Sequence, residues 1–503
     1  MDTIIERVAR GDGDAPAILA PDRAQLTHGD LRRLMADTVV RLNRLGIGRG
    51  DRVAIVLPNG PEMATAFVSV AAAATTAPLN PAYREDEFDF YLSDIRAKAL
   101  VVAPEEAGPA VAVAERRGIA VLRLVPDAEG PAGRFTLEGA GTGTAAKPGV
   151  AEAGDTALLL HTSGTTSRPK LVPLTHANLA ASAAHIGATL ELTASDRCLN
   201  IMPLFHIHGL VAAVLASLAA GGSTYCSPGF NALRFFAWLA DATPTWYTAV
   251  PTMHQAILAR AARNPEAVAA AKLRFIRSSS ASLPPQVMAE LEALFSCPVI
   301  ESYGMTEAAH QMTSNPLPPA VRKPGSVGIA AGPEVAIMTE DGAMLGPDTT
   351  GEIVIRGPNV TAGYESNPAA NETAFAHGWF HTGDQGTMDS EGYLRVTGRL
   401  KEIINRGGEK ISPREVDEVL MDHPAIAQAV TFAIPHDKLG EEVAAAIVLR
   451  EGKTATDGEI RDFCATRLAD FKVPRKVVFL DEIPKGATGK LQRIGLAQKL
   501  GLA

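Results

Sequence analysis

Hydrophobic and polar positions along the first 160 residues follow two periods in alternation. Leu26–Leu45 and Pro61–Ala74 have the spacing of amphipathic helices, and the apolar run Arg52–Leu57 lies between them. Further short apolar runs occur at Ala99–Ala103, Ala120–Leu124 and Thr156–Leu160. Strands that alternate with helices predict sheets covered by helices, and therefore an α/β fold. The Gly-, Ala- and Pro-rich stretch Gly130–Gly154 predicts a loop or meander.

The pattern changes near residue 400, after the glycine-rich and charged segment Gly398–Pro413. Ser412–Glu415 and Thr456–Glu459 have the sequence of capping boxes, which predict helices that run to Met421 and to about Leu468. The predicted strands of this region are Ala429–Ile434 and Val443–Leu449. We therefore expect a large N-terminal domain of residues 1–398 and a small α+β domain of residues 399–503, joined by a hinge.

Composition supports an enzyme of at least two domains, because 503 residues exceed what one hydrophobic core normally serves. The net charge of −9 has no basic block, so neither nucleic acid nor an anionic membrane is an expected partner. The scattered cysteines predict reduced thiols rather than a zinc site or disulfides. The charged N-terminus is unlike a signal peptide and Gly209–Gly221 is too short to span a bilayer, which together predict a cytoplasmic protein.

The run Leu160–Leu171, LHTSGTTSRPKL, is the strongest chemical signal. It follows a predicted buried strand and places hydroxyl side chains around Gly164, whose backbone can approach a ligand closely. With the positive charge of Lys170, this composition predicts a polyphosphate-binding loop. The spacing G-x-x-x-x-G-K-[ST] is absent, so a P-loop NTPase is not predicted. The alternative is a solvated Ser/Thr linker.

Eight segments, in order, make the chain resemble the adenylate-forming superfamily of acyl-CoA synthetases, luciferases and adenylation domains. They are HTSGTTSRPK (161–170), PLFHIHG (203–209), SSSASLPP (278–285), SYGMTE (302–307), GEIVIRGPNVTAGY (351–364), WFHTGD (379–384), GRLKEIINRGGEKISP (398–413) and PKGATGK (484–490). The resemblance implies helix-covered mixed sheets and a small β-barrel-like subdomain in the large domain, and a mobile C-terminal domain. Within that superfamily the chain resembles the oxalate–CoA ligases of plants and fungi in four segments, TSRPK (166–170), 303–318, KPGSVG (323–328) and NRGGEKISP (405–413). Ser167 replaces the superfamily's common glycine.

Joining a carboxylate to a nucleotide phosphate brings two anions together, so it requires cations around the α-phosphate and a metal ion. The resemblance implies that Lys490 bridges the two anions, that Thr306 bonds the α-phosphate and that Glu307 helps to hold Mg²⁺. It implies that Asp384, with Arg399 nearby, binds the ribose and that Tyr303 stacks on adenine. The full ATP site expected is Thr162, Ser163, Gly164, Thr165, Thr166, Lys170, Ser280, Ala281, Ser282, Glu301, Ser302, Tyr303, Thr306, Asp384, Arg399 and Lys490.

A second half-reaction with coenzyme A needs a different arrangement of cations. The resemblance implies that the small domain rotates about Lys401, which withdraws Lys490 and brings Gly407 and Gly408 to the pantetheine arm. Lys410 matches a position that faces the phosphates, and we expect it to act in catalysis together with Lys490, Thr306 and His206. For the glycine pair the alternative is a simple β-turn.

Hydroxyl residues fill the segment where relatives that use fatty or aryl acids have glycine and apolar side chains. Ser280 and His310, with His208 nearby, are expected to hold the distal carboxylate of a small acid, as the resemblance implies. The expected reaction converts oxalate, ATP and CoA to oxalyl-CoA, AMP and diphosphate. The alternatives are a ligase for malonate or another short acid, a module that loads a carrier protein, and a non-catalytic nucleotide binder.

Overall fold

The structure, a computed structural model, describes residues 2–141, 143–162, 169–485 and 491–503. The strands up to Thr175 are β1 (Pro16–Leu19), β2 (Leu26–Thr27), β3 (Arg52–Val56), β4 (Thr75–Pro78), β5 (Ala99–Val102), β6 (Ala120–Pro126), β7 (Phe135–Glu138), β8 (Thr156–Thr162) and β9 (Lys170–Thr175). The helices are α1 (Ile4–Val8), α2 (His28–Arg44), α3 (Pro61–Ala71), α4 (Glu85–Asp94) and α5 (Pro109–Arg116). A seven-stranded sheet has the order β7-β6-β5-β3-β4-β8-β9.

The next part of the chain builds a second large sheet. Its strands are β10 (Arg197–Asn200), β11 (Ser223–Cys226), β12 (Trp246–Ala249), β13 (Phe275–Ser278), β14 (Val299–Met305), β15 (His310–Ser314) and β16 (Ile329–Ala330). Its helices are α6 (His176–Thr189), a π-helix (His208–Leu215), α7 (Ala216–Ala219), α8 (Phe235–Ala242), α9 (Pro251–Ala261), α10 (Pro265–Ala270) and α11 (Pro285–Phe295). With β1 and β2 they form a nine-stranded sheet of order β16-β15-β14-β13-β12-β10-β11-β1-β2.

A small antiparallel sheet follows in the region where the resemblance implies a barrel-like subdomain. It consists of β17 (Glu334–Met338), β18 (Gly351–Arg356), β19 (Phe380–Met388) and β20 (Leu394–Arg399), with α12 (Pro368–Ala374) before β19. The strands pair in sequence order, and β19 and β20 place Asp384 directly opposite Arg399.

The last part of the chain forms a five-stranded sheet with its own core. Its elements are β21 (Ile404–Arg406), β22 (Glu409–Ile411), α13 (Pro413–Met421), β23 (Ile426–His436), β24 (Gly440–Leu449), α14 (Asp457–Ala465), β25 (Lys476–Phe479) and α15 (Leu496–Lys499). These layers confirm the predicted α/β fold with a large sheet-rich N-terminal part and a smaller C-terminal part.

The caps explain where several helices begin. Thr456 accepts from the backbone N–H of Glu459, whose carboxylate accepts in return from the backbone N–H of Thr456, so the second capping box is confirmed. Ser412 accepts from the N–H of Glu415, but the Glu415 carboxylate accepts from Lys472 Nζ at 2.6 Å instead. Only half of the first predicted box therefore forms.

Several predicted boundaries differ from the structure; the helix predicted to about Leu468, for example, ends at Ala465. Leu26 and Thr27 form β2, and the helix begins at His28 because Thr27 caps it by accepting from the N–H of Asp30. The helix from Pro61 ends at Ala71, since Thr75–Pro78 is a buried strand between β3 and β8. The Gly130–Gly154 stretch contains β7, which pairs with β6. Among the described residues, the helices are all too short or too polar to cross a membrane.

The direction of the strands explains where functional side chains collect. Strands β12, β13 and β14 are parallel and adjacent, and the paired residues Ala249, Ser278 and Glu301 lie along one edge of the sheet, where β12 and β13 end. In open α/β sheets this edge is where ligands bind. The segments that follow β13 and β14 carry six of the predicted site residues, Ser280, Ala281, Ser282, Thr306, Glu307 and His310.

Candidate active site

The turn between β14 and β15 carries three predicted residues, Thr306, Glu307 and His310, within five positions of the chain. Met305 pairs with His310, and Thr306–Ala308 form one turn of 3₁₀-helix between them. Ala309 and His310 have φ angles of 48° and 100°, which non-glycine residues rarely adopt. Such backbone strain persists where the surrounding structure enforces it, often at functional sites. Thr306 and Glu307 are thereby placed immediately beside His310.

Asp384 receives hydrogen bonds from two predicted site residues. Tyr303 Oη donates to Asp384 Oδ2 at 2.5 Å, and Arg399 Nε donates to Asp384 Oδ1 at 2.9 Å. The carboxyl group is buried, at 6% exposure. Burial opposes the charge of Arg399, yet Asp384 raises the pKa of Arg399 above its ordinary value. Asp384 lies inside β19, directly opposite Arg399 on β20, and this strand pairing brings the two side chains together.

Glu307 is a buried carboxylate beside a lysine. Burial raises the pKa of Glu307, while the hydrogen bond from Tyr364 Oη to Glu307 Oε1, at 2.8 Å, and the charges of Arg399 and Lys170 oppose that rise. Lys170 Nζ lies 4.3 Å from the centre of the Tyr364 ring. Burial lowers the pKa of Lys170, Glu307 opposes this shift, and the charge of Lys401 adds to it. Lys170, Glu307 and Lys401 are therefore electrostatic neighbours.

The predicted phosphate loop begins and ends at a paired position. Thr162, the last residue of β8, pairs with Lys170, the first residue of β9. Ser163, Gly164, Thr165, Thr166 and Ser167 lie outside the described residues. Thr162 and Lys170 hold both ends of this segment on the side of the sheet where Glu307 and Tyr364 lie.

Ser280, His208 and His310, the residues predicted to hold the distal carboxylate, form a polar cluster. His208 Nδ1 lies 3.0 Å from Ser280 Oγ, His208 Nε2 lies 2.6 Å from Thr248 Oγ1, and the rings of His208 and His310 are 4.9 Å apart. Ser280 has φ +74°, a conformation that glycine adopts easily and serine does not. The strained position retains a hydroxyl that a glycine would lack.

A buried arginine behind this cluster was missed by the sequence interpretation. Arg277, in β13, has no exposed surface, and its Nη2 donates to Gln311 Oε1 at 3.2 Å and to His310 Nδ1 at 3.4 Å. Burial lowers the pKa of Arg277 to about 9, so the guanidinium remains charged at neutral pH. The available signal was a charged residue within the apolar run FIRS, directly before the quoted segment SSSASLPP.

The segment after β13 lies beside the start of the Tyr303 hairpin. Ser279 Oγ donates to the backbone oxygen of Ser302 at 3.0 Å, and Leu283 N–H donates to Glu301 Oε1 at 2.9 Å. Ala281 is exposed, whereas Ser282 is half-buried. These two bonds, made by residues on either side of Ser280–Ser282, place that predicted adenine-lining segment beside Glu301 and Ser302.

Glu301 predicts an unusual pH dependence of stability. Burial raises its pKa to about 7 from 4.5, so between these values the unfolded chain loses the proton that the folded chain retains. The contribution of Glu301 to the free energy of unfolding is therefore greatest below pH 4.5. It falls by about 3 kcal/mol as the pH rises through about 7. Glu301→Gln should therefore gain melting temperature over wild type at pH 8 and lose that gain at pH 4.5. Thermal unfolding at both pH values tests this; an equal difference at both would contradict it.

The residues predicted for the second half-reaction lie in the small C-terminal part. Gly407 and Gly408 form the turn between β21 and β22, where Gly407 N–H donates to Leu439 O at 2.8 Å and Gly408 N–H to Asn405 Oδ1 at 3.2 Å. Lys410 is exposed on β22. Both of these bonds go to other residues of the C-terminal part. The structure gives no bond between the Gly407–Gly408 turn and the described residues of the Tyr303–His310 segment.

Lys490 lies outside the described residues, but both flanks of its segment are anchored. Lys485 forms an antiparallel bridge with Leu491. Arg493 Nη1 donates to Glu402 Oε2 at 2.7 Å, Arg493 Nε donates to Thr431 O at 2.6 Å, and Asp417 accepts a further bond from Arg493 Nη2. Glu402 is adjacent to the predicted hinge residue Lys401, which is exposed. The sequence interpretation missed both members of this ion pair.

His206 lies near the polar cluster in sequence and is half-buried. Its ring centre is 4.6 Å from that of Phe205, and the π-helix that begins at His208 follows directly. Asn59, which follows β3, accepts a hydrogen bond through Oδ1 from the N–H of Leu204 at 2.8 Å. This bond fixes the backbone just before His206. π-helical turns occur often at functional sites, and this one begins at a cluster residue.

Comparison with known proteins agrees with the geometry. Residues 5–365 match the family described as AMP-binding enzyme, and residues 415–490 match the AMP-binding enzyme C-terminal domain. The oxalate–CoA ligase of Arabidopsis thaliana is 48% identical, with 98% of this chain and 97% of the relative covered. The oxalate–CoA ligase of Saccharomyces cerevisiae is 41% identical, with 96% and 94% covered.

A solved structure has the same fold over the whole chain. The crystal structure of ATP-bound MatB from Rhodopseudomonas palustris superposes with a TM-score of 0.88 at 29% identity and covers 99% of this chain and 98% of its own. The predicted resemblance to adenylate-forming enzymes is confirmed by these matches. The chain belongs to the AMP-binding enzyme family.

Proposed function

We propose that the protein is an ATP-dependent oxalate–CoA ligase that forms oxalyl-CoA, AMP and diphosphate. The observation that carries this proposal is the polar cluster of Ser280, His208 and His310 beside the turn that carries Thr306. An alkyl chain would offer no hydrogen bond to these polar side chains, whereas the second carboxylate of a small acid can accept one, and a hydrogen bond to a charged group contributes about 1.5–3 kcal/mol. The high identity to two oxalate–CoA ligases over nearly their full length supports the same substrate.

In the first half-reaction a carboxylate oxygen of the acid attacks the α-phosphorus of ATP, and the bond to diphosphate breaks. We assign the ribose hydroxyls to Asp384, whose orientation Tyr303 and Arg399 fix through their hydrogen bonds. Thr306 would donate to the α-phosphate, and Lys170 would neutralise part of the polyphosphate charge. Lys490 would bridge the two reacting anions, and this contact is what lowers the barrier between them.

Glu307 suits a magnesium ion that is held mainly by phosphate oxygens. Magnesium in such enzymes binds one or two carboxylates together with substrate phosphates. Glu307 offers one buried carboxylate with Oε1 already oriented by Tyr364, and the described residues contain no cluster of three or more potential protein ligands. The ion, when bound, would neutralise charge on the departing diphosphate.

In the second half-reaction the CoA sulfur attacks the acyl carbonyl, AMP leaves and the thiol proton is lost. We propose residues 1–398 and 399–503 as the two domains and Lys401 as the hinge between them. Rotation about it would bring the Gly407–Gly408 turn, which presents no side chains, against the pantetheine arm. Lys410 follows that turn and would then face the phosphate region.

A panel of acids tests the proposal. Diphosphate release should have its highest kcat/KM with oxalate and be lower with malonate and acetate, and octanoate should be the poorest substrate. Equal or faster turnover of octanoate would contradict it, and preference for malonate would favour the nearest alternative. A CoA ligase should release diphosphate and form a thioester when CoA is added, which distinguishes it from a module that loads a carrier protein. Absence of any diphosphate release would indicate a non-catalytic nucleotide binder.

A further inference from the structure

Arg277 carries a buried positive charge that the described residues do not balance. Its Nε and Nη1 atoms have no hydrogen-bond partner there, and the bonds of its Nη2 go to Gln311 and His310 rather than to a carboxylate. Arg493, a partly buried cation whose side chain is 22% exposed, is by contrast paired with the carboxylates of Glu402 and Asp417. Because an isolated buried charge is strongly unfavourable, an unbalanced guanidinium indicates that an anion from outside the chain completes the site.

The position of Arg277 indicates where that anion binds. Arg277 on β13 is in register with Thr248 on β12, and Thr248 Oγ1 lies 2.6 Å from His208 Nε2. His208 in turn contacts Ser280, and Arg277 itself contacts His310. The guanidinium therefore lies against the His310 side of the cluster that we assign to the acid substrate.

The contact of Arg277 with His310 also determines the tautomer of the His310 imidazole. An arginine only donates hydrogen bonds, so His310 Nδ1 must accept in the 3.4 Å contact with Arg277 Nη2. In the neutral imidazole the proton is then on Nε2, which becomes a donor. A donor suits a carboxylate oxygen, whereas an acceptor would repel it.

We propose that Arg277 is the specificity-determining residue for a doubly charged acid, because it fixes His310 as an Nε2–H donor and balances the charge of the second carboxylate. The inference rests on the proposed function and adds the group that distinguishes a dianion from a monoanion. A monocarboxylate of similar size would leave the guanidinium unbalanced and would gain nothing from it.

Arg277→Met and Arg277→Gln test this by comparing oxalate with glycolate, a monoanion of similar size. The kcat/KM for oxalate should fall roughly 10–100-fold, mainly through KM, whereas kcat/KM for glycolate should stay the same or rise. If glycolate turnover is too slow to measure, the inhibition constant of glycolate against the oxalate reaction is compared between wild type and variants instead. The KM for ATP and the melting temperature should stay close to wild type, since removal of an unbalanced buried charge does not break an ion pair.

Arg274→Met is the matched control, because Arg274 lies just before β13 and pairs with Asp196 at 2.7 Å. It should leave the oxalate-to-glycolate ratio unchanged. A folded Arg277 variant that retains the wild-type ratio, or loses both acids equally, would overturn the inference. Failure of the wild-type enzyme to use oxalate would instead contradict the proposed function, so the two failures are distinguishable.

Discussion

Asp384→Ala should raise the KM for ATP by about 10–100-fold and lower the melting temperature. The substitution removes the proposed ribose acceptor, and a hydrogen bond to a charged group contributes about 1.5–3 kcal/mol. It also leaves Arg399 and the Tyr303 hydroxyl without the carboxylate that they share. Breaking a buried pair by removing one partner destabilises a fold by about 3–5 kcal/mol. Initial rates over a range of ATP concentrations and thermal unfolding measure the two effects.

Two further variants separate binding from folding. Asp384→Asn retains an acceptor oxygen for Arg399 or Tyr303, so it should recover part of the melting temperature but little of the ATP affinity. Asp389→Ala is the control, because Asp389 directly follows β19 and its partly exposed carboxylate pairs with Lys323 Nζ at 2.6 Å. This variant should leave the KM for ATP unchanged. A normal KM for ATP in a folded Asp384→Ala enzyme would refute the ribose assignment.

Lys490→Ala should slow formation of the acyl-adenylate by about 10²–10³-fold, the loss typical of one group that stabilises charge in the transition state. Transfer of supplied oxalyl-AMP to CoA should continue at nearly the wild-type rate, because the proposed rotation of the small domain would by then have withdrawn the lysine. Diphosphate release and thioester formation from the prepared adenylate measure the two half-reactions separately.

The control for this variant is Lys485→Ala, on the near flank of the same segment. Lys485 Nζ pairs with Glu482 at 2.8 Å and has no proposed role in the chemistry. It should leave both half-reactions unchanged. If Lys490→Ala slowed both half-reactions equally, the lysine would serve the fold or both steps, and the assignment to adenylation alone would be wrong.

The sequence predicted those features that depend on local pattern. Apolar runs such as Arg52–Leu57 and Thr156–Leu160 identified buried strands, because such runs fit a sheet covered on both faces. Thr456 predicted its helix start correctly, since a capping box involves only neighbours in the chain. The association of Ser280, His208 and His310 followed from the family resemblance.

Features that depend on distant contacts could not be predicted in the same way. Tyr303 and Asp384 are 81 residues apart, and Glu402 and Arg493 are 91 apart, so neither pair leaves a local pattern. Arg277 looks in sequence like an interruption of a strand, and only the packing of β12 and β15 around it shows that it is buried. The burial that raises the pKa of Glu301 likewise comes from several segments.

The bonds on either side of Lys401 set the length over which the backbone can twist. Arg399 is bound through its side chain to Asp384, and Glu402 is bound through its side chain to Arg493. Only Leu400 and Lys401 lie between these two attachment points. Any swing of the small domain would therefore be concentrated in the dihedral angles of two residues, which makes the proposed pivot a sharp swivel rather than a gradually bending linker.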